Sequence, residues 1–170
     1  MTLNIQNTIR SEALKSKCNQ KHGCVITKGN TKIMSVGYNN NHRSSYSISY
    51  FKNNKIIKIN VKEPCIHAEL SGVKKFINIM SKKNKRKMIN YNKYIVWVGR
   101  IPNDENKRNL GFFKNSEPCI RCCSNLKKLG FRKLNYSTDN GIFNTIDLRY
   151  FKGRHISHSQ IETESYSKLL

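Results

Sequence analysis

The stretch EPCIHAEL, residues 63–70, places a histidine and a glutamate in a part of the chain that is otherwise poor in acidic residues. Residues 13–62 and 70–103 contain no carboxylate at all. Apolar residues at helical spacing follow, so His67 and Glu69 stand at the start of a predicted helix. A glutamate in this position could simply cap the helix, but its pairing with a histidine indicates a functional site.

A second motif, PCIRC at residues 118–122, supplies the pair Cys119 and Cys122, again just before residues of helical periodicity. Two thiolates on one turn can bind a single zinc ion, and one histidine brings the protein ligands to three. Three ligands leave the fourth position for water, as in catalytic zinc sites, whereas structural sites are closed by four. Free N–H groups at both helix starts also favour thiolates. The motifs therefore predict a catalytic zinc site that includes His67.

Glu69 is the candidate proton carrier of this site. Zinc lowers the pKa of a bound water to ~7, and a carboxylate beside that water can take its proton and hand it on. On a regular helix, side chains two residues apart diverge by roughly 200°. The spacing therefore leaves open how His67 and Glu69 both face the metal.

Size and composition predict a single intracellular domain. The chain has 170 residues, of which 37% are hydrophobic and 25% charged, as expected of a folded domain. No apolar run approaches the roughly 20 residues of a membrane span, and the N-terminus lacks the apolar stretch of a secretory signal. We therefore expect no membrane partner and an intracellular location, without distinguishing the cytoplasm from the nucleus or a virion.

The formal net charge of +22 would attract polyanions such as nucleic acids. The chain is also rich in Asn and Ile, a pattern that a low-GC genome would give, so charge alone leaves nucleic-acid binding open. The segment from Lys82 to Lys87 is a candidate binding patch. A solvated loop is the preferred interpretation, because the segment has no interleaved aromatic residues for base stacking.

The other cysteines invite further interpretations. Cys18, His22 and Cys24 are a candidate second zinc site, although Cys24 falls in a predicted strand where small apolar residues belong. Cys65 and Cys123 are expected to be small buried side chains. Disulfides are not expected in an intracellular protein.

Apolar periodicity predicts alternating helices and strands. Predicted helices cover residues 3–17, 67–80 and 119–129, and predicted strands form a hairpin in 24–38 and cover 94–98, 133–137 and 142–151. Residues 40–62 are expected to be a long loop with one short strand at 55–61, and residues 102–117 a second loop. The alternation indicates an α/β protein with helices on both faces of a sheet, a three-layer α/β/α domain.

Taken together, the two motifs give the pattern H-x-E…P-C-x-x-C, which resembles that of the zinc-dependent nucleobase deaminases. GCVITKGNTKIMSVGYN (23–39) is similar to the first hairpin of that family, and PCIRCCSNLKKLGFRKLNY (118–136) to its cysteine helix and following strand. The resemblance runs from about residue 8 to about residue 140 and is nearest to the cytidine and deoxycytidylate group.

The resemblance implies a cytidine-deaminase-like fold with a mixed sheet of about five strands. The domain would span residues 1–152, with insertions near 41–62, 81–92 and 102–115, and a C-terminal tail would span 153–170. The family pattern also implies one role for each residue of the site. His67, Cys119 and Cys122 would bind Zn²⁺, and Glu69 would move protons. Asn39 would contact the sugar of the substrate. The backbone N–H of Ala68 would donate a hydrogen bond to the carbonyl oxygen of the base.

The function implied by the resemblance is hydrolytic deamination of a cytosine nucleotide, with dCMP converted to dUMP and ammonia. Abundant lysine could hold the phosphate, and self-association into a homo-oligomer is expected. Two alternatives stay open: deamination of a base in tRNA or single-stranded DNA, and a catalytically inactive deaminase fold that binds nucleic acid. Glu69 favours an enzyme, because a purely structural zinc site needs no proton carrier. Residues 70–72, Leu-Ser-Gly, depart from the Asn-Ala-type sequence of many relatives. This departure borders the substrate, so it bears on the identity of the substrate.

Overall fold

The computed structural model describes residues 2–41, 46–52, 55–61, 65–84, 89–151, 153 and 156–157. Its helices are α1 (Leu3–Leu14), α2 (Ala68–Asn84), α3 (Glu105–Asn109) and α4 (Ile120–Leu129), with a 3-10 turn at Tyr91–Lys93. Its strands are β1 (Lys21–Lys28), β2 (Lys32–Tyr38), β3 (Asn40–Asn41), β4 (Tyr46–Lys52), β5 (Lys55–Val61), β6 (Cys65–Ile66), β7 (Tyr94–Ile101), β8 (Lys133–Ser137) and β9 (Phe143–Asp147).

Five strands form the central sheet, in the order β2-β1-β7-β8-β9. β1 runs antiparallel to both β2 and β7, β7 and β8 run parallel, and β9 is antiparallel to β8. The sheet is therefore mixed and five-stranded, as the family resemblance implies. Two smaller antiparallel pairs, β3 with β6 and β4 with β5, lie outside it.

Strand β7 shows why helices cover both faces of the sheet. Val96 and Val98 belong to one buried cluster, which also contains apolar residues of α2 and α4. Trp97 belongs to a second cluster with Ile5 and Ile9 of α1. A strand that is apolar on both faces needs cover on both sides. The fold is therefore the predicted three-layer α/β/α arrangement, with α1 on one face and α2 and α4 on the other.

Two glycines let helix α2 lie directly on strand β2. A Cβ atom added to Gly37 would stand 2.2 Å from the backbone nitrogen of Gly72, which no side chain can tolerate. Ser35 Oγ donates a hydrogen bond of 3.0 Å to the carbonyl oxygen of Gly72 across the same contact. This close approach fixes the position of α2, whose first turn contains Glu69.

Helix boundaries differ from the prediction at two places. α1 ends at Leu14 rather than at residue 17, and the backbone N–H of Cys18 donates to Ser16 Oγ in the loop that follows. α2 continues to Asn84 instead of ending at Met80. The extra turn is polar, and lysine is a good helix former even without an apolar face.

The predicted loops contain structure of their own. β4 and β5 form a hairpin in the segment predicted as mostly loop, with Tyr46 opposite Val61 and Lys52 opposite Lys55. In the second loop, the short helix α3 is capped by Asp104, whose carboxylate accepts from the backbone N–H of Lys107 at 3.0 Å. The strand predicted at 55–61 is therefore confirmed as β5, whereas β4 and α3 lie in stretches whose prediction as loop is wrong.

Most of the predicted tail lies outside the described residues, including the histidines His155 and His158. Residues 82–84 of the candidate binding patch continue α2, and residues 85–87 lie outside the described residues. The division of the chain at residue 152 stays a prediction. No helix within the described part of the chain combines the length and the apolar character needed to cross a bilayer.

Candidate metal centre

Three predicted ligands meet at the starts of two helices. The Nδ1 atom of His67 lies 3.2 Å from Cys122 Sγ and 3.5 Å from Cys119 Sγ, and the three ligand atoms lie within 4.8 Å of one another. In a tetrahedral site with Zn–S of about 2.3 Å and Zn–N of about 2.0 Å, ligand atoms are about 3.5–3.8 Å apart. One imidazole and two thiols at this spacing fit zinc. Within the described ranges no other such group of His, Cys, Asp and Glu side chains is found.

His67 stands before helix α2, not inside it. The helix begins at Ala68, and the backbone N–H of Ser71 donates to the carbonyl oxygen of His67 at 2.9 Å, which makes His67 the N-cap residue. An N-cap residue has non-helical backbone angles. The angular separation of a regular helix therefore does not apply to His67 and Glu69, and both side chains can reach the same site.

Cys119 occupies the corresponding position at α4. It is the N-cap residue, with φ −69° and ψ 163°, and its Sγ atom accepts from the backbone N–H of Cys122 at 3.4 Å. The pKa of the Cys119 thiol is lowered to about 3. The largest cause is a hydrogen bond with the Cys122 side chain, and the nearby His67 also lowers the pKa, whereas burial raises it. Cys119 is therefore a thiolate at neutral pH, the form that binds metal.

Glu69 lies in the first turn of α2 and is 6% exposed. Burial is the main cause that raises the pKa of its carboxyl group, while the charge of His67 and a hydrogen bond with the Cys122 side chain lower it. These interactions place the carboxyl group next to the three predicted ligands. A buried carboxyl group with a raised pKa is suited to both accept and release a proton.

A pair of serines fixes the segment that leads to Cys119. Ser116 Oγ donates to the carbonyl oxygen of Val98 at 3.0 Å and accepts from the backbone N–H of Ser137 at 2.9 Å. Both serines are buried. They tie the segment that precedes Pro118 to strands β7 and β8, through a hydrogen-bond network that the sequence analysis missed. A small polar residue near a Pro-Cys pair is too common to predict such a network.

The two predicted substrate residues, Asn39 and Ala68, lie in different parts of the fold. Asn39 precedes β3, which pairs with β6 just before His67. The side-chain amide of Asn39 bonds within the protein. Its Oδ1 atom accepts from the backbone N–H of His22 at 2.8 Å, and its Nδ2 atom donates to the carbonyl oxygen of Gln20 at 2.7 Å. One N–H and one lone pair of the amide remain for a substrate. Ala68 is buried as the first residue of α2, where backbone N–H groups have no intrahelical acceptor. The substrate roles of Asn39 and Ala68 stay predictions.

The candidate second zinc site is not assembled among the described residues, because Cys18, His22 and Cys24 do not form a group of potential ligands. Cys24 is fully buried, while Cys18 lies against Cys65. Cys123 is buried, as predicted. The expectation that Cys65 is buried is wrong: its side chain is partly exposed, because β6 belongs to a short strand pair outside the central sheet.

Comparisons with known proteins identify the family. The model of the cytidine and deoxycytidylate deaminase zinc-binding region matches residues 3–138, which include both motifs. A solved structure, the dCMP deaminase from the cyanophage S-TIM5 in apo form, is similar with a TM-score of 0.40 and 15% identity, over 81% of this chain and 86% of that one. No curated protein matches the sequence. From the match to the family model, the chain belongs to the family of the cytidine and deoxycytidylate deaminase zinc-binding region.

Proposed function

We propose that this chain is a zinc-dependent hydrolytic deaminase that converts dCMP to dUMP and ammonia. The observation that supports this most directly is the cluster of His67, Cys119 and Cys122, with the buried carboxyl group of Glu69 beside it. Membership of the family supports a cytosine base as the substrate. A net charge of +22 favours a substrate that carries a phosphate.

In this proposal His67, Cys119 and Cys122 hold the zinc ion. When bound, zinc supplies Lewis acidity that lowers the pKa of a coordinated water to about 7. Glu69 takes the proton of the attacking water and passes it to N3 of the ring, while the oxygen adds to C4. Glu69 then takes the proton of the hydroxyl group now on C4 and passes it to the amino group. The amino group leaves as ammonia, and the C4 carbonyl of uracil remains. The reaction consumes one water and needs no other reactant.

Two further groups would position the nucleotide. The N–H of Ala68, at the start of α2, would donate a hydrogen bond to the carbonyl oxygen of the base. The remaining N–H and lone pair of Asn39 would contact the sugar. Self-association, which the family resemblance implies, stays a prediction.

The test is turnover by the purified, zinc-loaded protein. Deoxycytidylate, cytidylate and cytidine are offered separately, and the conversion of each base to uracil is followed by mass spectrometry. Glu69→Gln serves as the matched variant, because glutamine keeps the size of the side chain but cannot carry a proton. We expect turnover of dCMP that the variant loses, with cytidine a poorer substrate because it lacks the phosphate.

A base within tRNA or single-stranded DNA is the second candidate substrate, and the net charge of +22 is the observation that favours it. Binding to a polymer releases counterions in proportion to the number of phosphates contacted, so its affinity falls steeply as salt is added. A single nucleotide shows a much weaker dependence. Turnover of the polymer with a steep salt dependence, and none of dCMP, would replace the first proposal. No turnover of any substrate by the zinc-loaded protein would favour a fold that only binds nucleic acid.

A further inference from the structure

Two partly exposed cysteines lie against each other outside the metal centre. The Sγ atoms of Cys18 and Cys65 are 3.7 Å apart, and both side chains are partly exposed, whereas the other four cysteines are buried. The thiol of Cys18 also donates to Asn41 Oδ1 at 3.1 Å, and Asn41 pairs with Cys65 across strands β3 and β6. The two partly exposed thiols therefore lie against each other, away from the predicted zinc ligands.

We propose that Cys18 and Cys65 are a redox modification site, at which a reversible disulfide forms under oxidising conditions. A disulfide has an S–S distance of about 2.05 Å, so the two sulfur atoms must approach by about 1.7 Å. Rotation of two partly exposed side chains can supply that approach without moving the central sheet, because neither residue belongs to it.

The oxidant is a small disulfide such as oxidised glutathione. A thiolate of one cysteine attacks a sulfur of the glutathione disulfide, which forms a mixed disulfide and releases one glutathione thiol. The second cysteine then attacks the protein sulfur of that mixed disulfide and releases the second glutathione. The protein loses two hydrogen atoms, one glutathione disulfide is reduced to two thiols, and an external thiol reverses both steps.

The disulfide would fasten two segments that border the metal centre. Cys65 lies in β6, two residues before the predicted ligand His67. Cys18 lies in the loop between α1 and β1, where the carbonyl oxygen of Gln20 accepts from the side chain of Asn39. The bond would therefore hold the segment carrying a metal ligand against the segment that orients a predicted substrate residue. Oxidation should raise thermal stability and slow the loss of zinc.

The experiment uses the full-length, zinc-loaded protein, equilibrated with a series of ratios of reduced to oxidised glutathione. Free thiols are alkylated, and the protein is examined by intact mass and peptide mapping. We expect a loss of two hydrogen atoms, one linked peptide pair that contains Cys18 and Cys65, and full reversal by excess reductant. The thermal midpoint should rise by about 5–10 °C on oxidation. Cys24, fully buried in the same molecule, is the internal control and should stay reduced.

Cys18→Ser and Cys65→Ser should each abolish the mass change and the rise in thermal midpoint. A stable glutathione adduct on one cysteine, or two free thiols at every ratio tested, would overturn the proposal. Two bound zinc ions per chain in the original protein and one in Cys18→Ser would also overturn the proposal, because the two thiols would then bind metal rather than each other. Mass and melting temperature do not depend on deaminase turnover, so this proposal can fail while the proposed function stands.

Discussion

The Nδ1 atom of His67 lies 3.2 Å from the Sγ atom of Cys122, although the two residues are 55 positions apart in the chain. They meet because α2 and α4 pack on the same face of the sheet and begin at the same end of it. Each helix contributes a predicted ligand from its N-cap position, His67 at α2 and Cys119 at α4. The protein ligands are therefore gathered by the fold itself, and zinc should bind to a site that is largely preformed.

The first prediction separates the ligand Cys122 from its neighbour Cys123. Cys122→Ser should reduce the zinc content from about one ion per chain to near zero, because serine is a poor zinc ligand. Cys123→Ser is the matched control and should keep its zinc, because Cys123 does not belong to the group of potential ligands formed by His67, Cys119 and Cys122. Elemental analysis of the purified proteins measures both. Loss of zinc only in Cys123→Ser would mean that Cys123, and not Cys122, binds the metal.

The second prediction concerns catalysis by Glu69. Glu69→Gln should lower turnover by about 10²–10⁴-fold, the usual contribution of a positioned general acid–base group. The zinc content should not change, since the carboxyl group is not one of the predicted ligands. Steady-state kinetics and metal analysis on the same preparation test both statements. Full activity in this variant would remove Glu69 from the mechanism.

A third prediction follows from the raised pKa of the same carboxyl group. The folded protein holds the Glu69 proton more tightly than the unfolded chain does, so its unfolding free energy falls as the pH rises from below 4.5 through the raised pKa. Glutamine does not ionise and avoids this loss. In the zinc-free protein, Glu69→Gln should therefore be more stable than the original chain near neutral pH, and the difference should vanish in acid. Urea unfolding across pH measures it.

Bound zinc provides the control for this pH effect. A nearby cation favours the ionised carboxylate, so the difference between the two proteins should shrink when zinc is restored. An equal difference at every pH would mean that the ionisation of Glu69 does not contribute to stability.

The central sheet and the grouping of His67, Cys119 and Cys122 could be predicted because their patterns are local. Strand β7 begins with an unbroken apolar run at residues 94–98. Helix α4 ends where Gly130, at φ 101°, provides the left-handed residue that stops it. The ligands stand at fixed spacings in short motifs. Local patterns of this kind need no knowledge of the partner segment, so they can be read directly from the sequence.

What could not be predicted depends on contacts between distant segments. Strand β4 is an exception, because its alternating apolar residues at Tyr46, Ile48 and Tyr50 are a local pattern that the sequence analysis missed. Neither the contact between Cys18 and Cys65 nor the bonds of Ser116 has a local pattern. How His67 and Glu69 share one site became clear only from the N-cap geometry, which places His67 outside the regular helix.

The fourth prediction tests the close packing of α2 on β2. Gly37→Ala should destabilise the fold by about 3 kcal/mol or more, because its methyl group would collide with the backbone at Gly72. Since α2 must then shift, zinc retention should also fall. Gly141→Ala is the control: its φ of 74° costs about 1–2 kcal/mol, but nothing lies within 4 Å, so zinc should be retained. Equal zinc loss in both variants would contradict this explanation.

The fifth prediction concerns Ser116 as a positioning residue for Cys119. Ser116→Ala leaves the buried N–H of Ser137 without its acceptor, which should cost about 1–3 kcal/mol of unfolding free energy. The loop that presents Cys119 would be held less firmly, so a chelator should remove zinc faster than from the original protein. Ser81 is an exposed serine whose hydroxyl donates to the Asn78 carbonyl oxygen within its own helix, and Ser81→Ala should change stability by less than about 0.5 kcal/mol. If both variants released zinc at the original rate, the serine network would stabilise the strands without positioning the metal ligand.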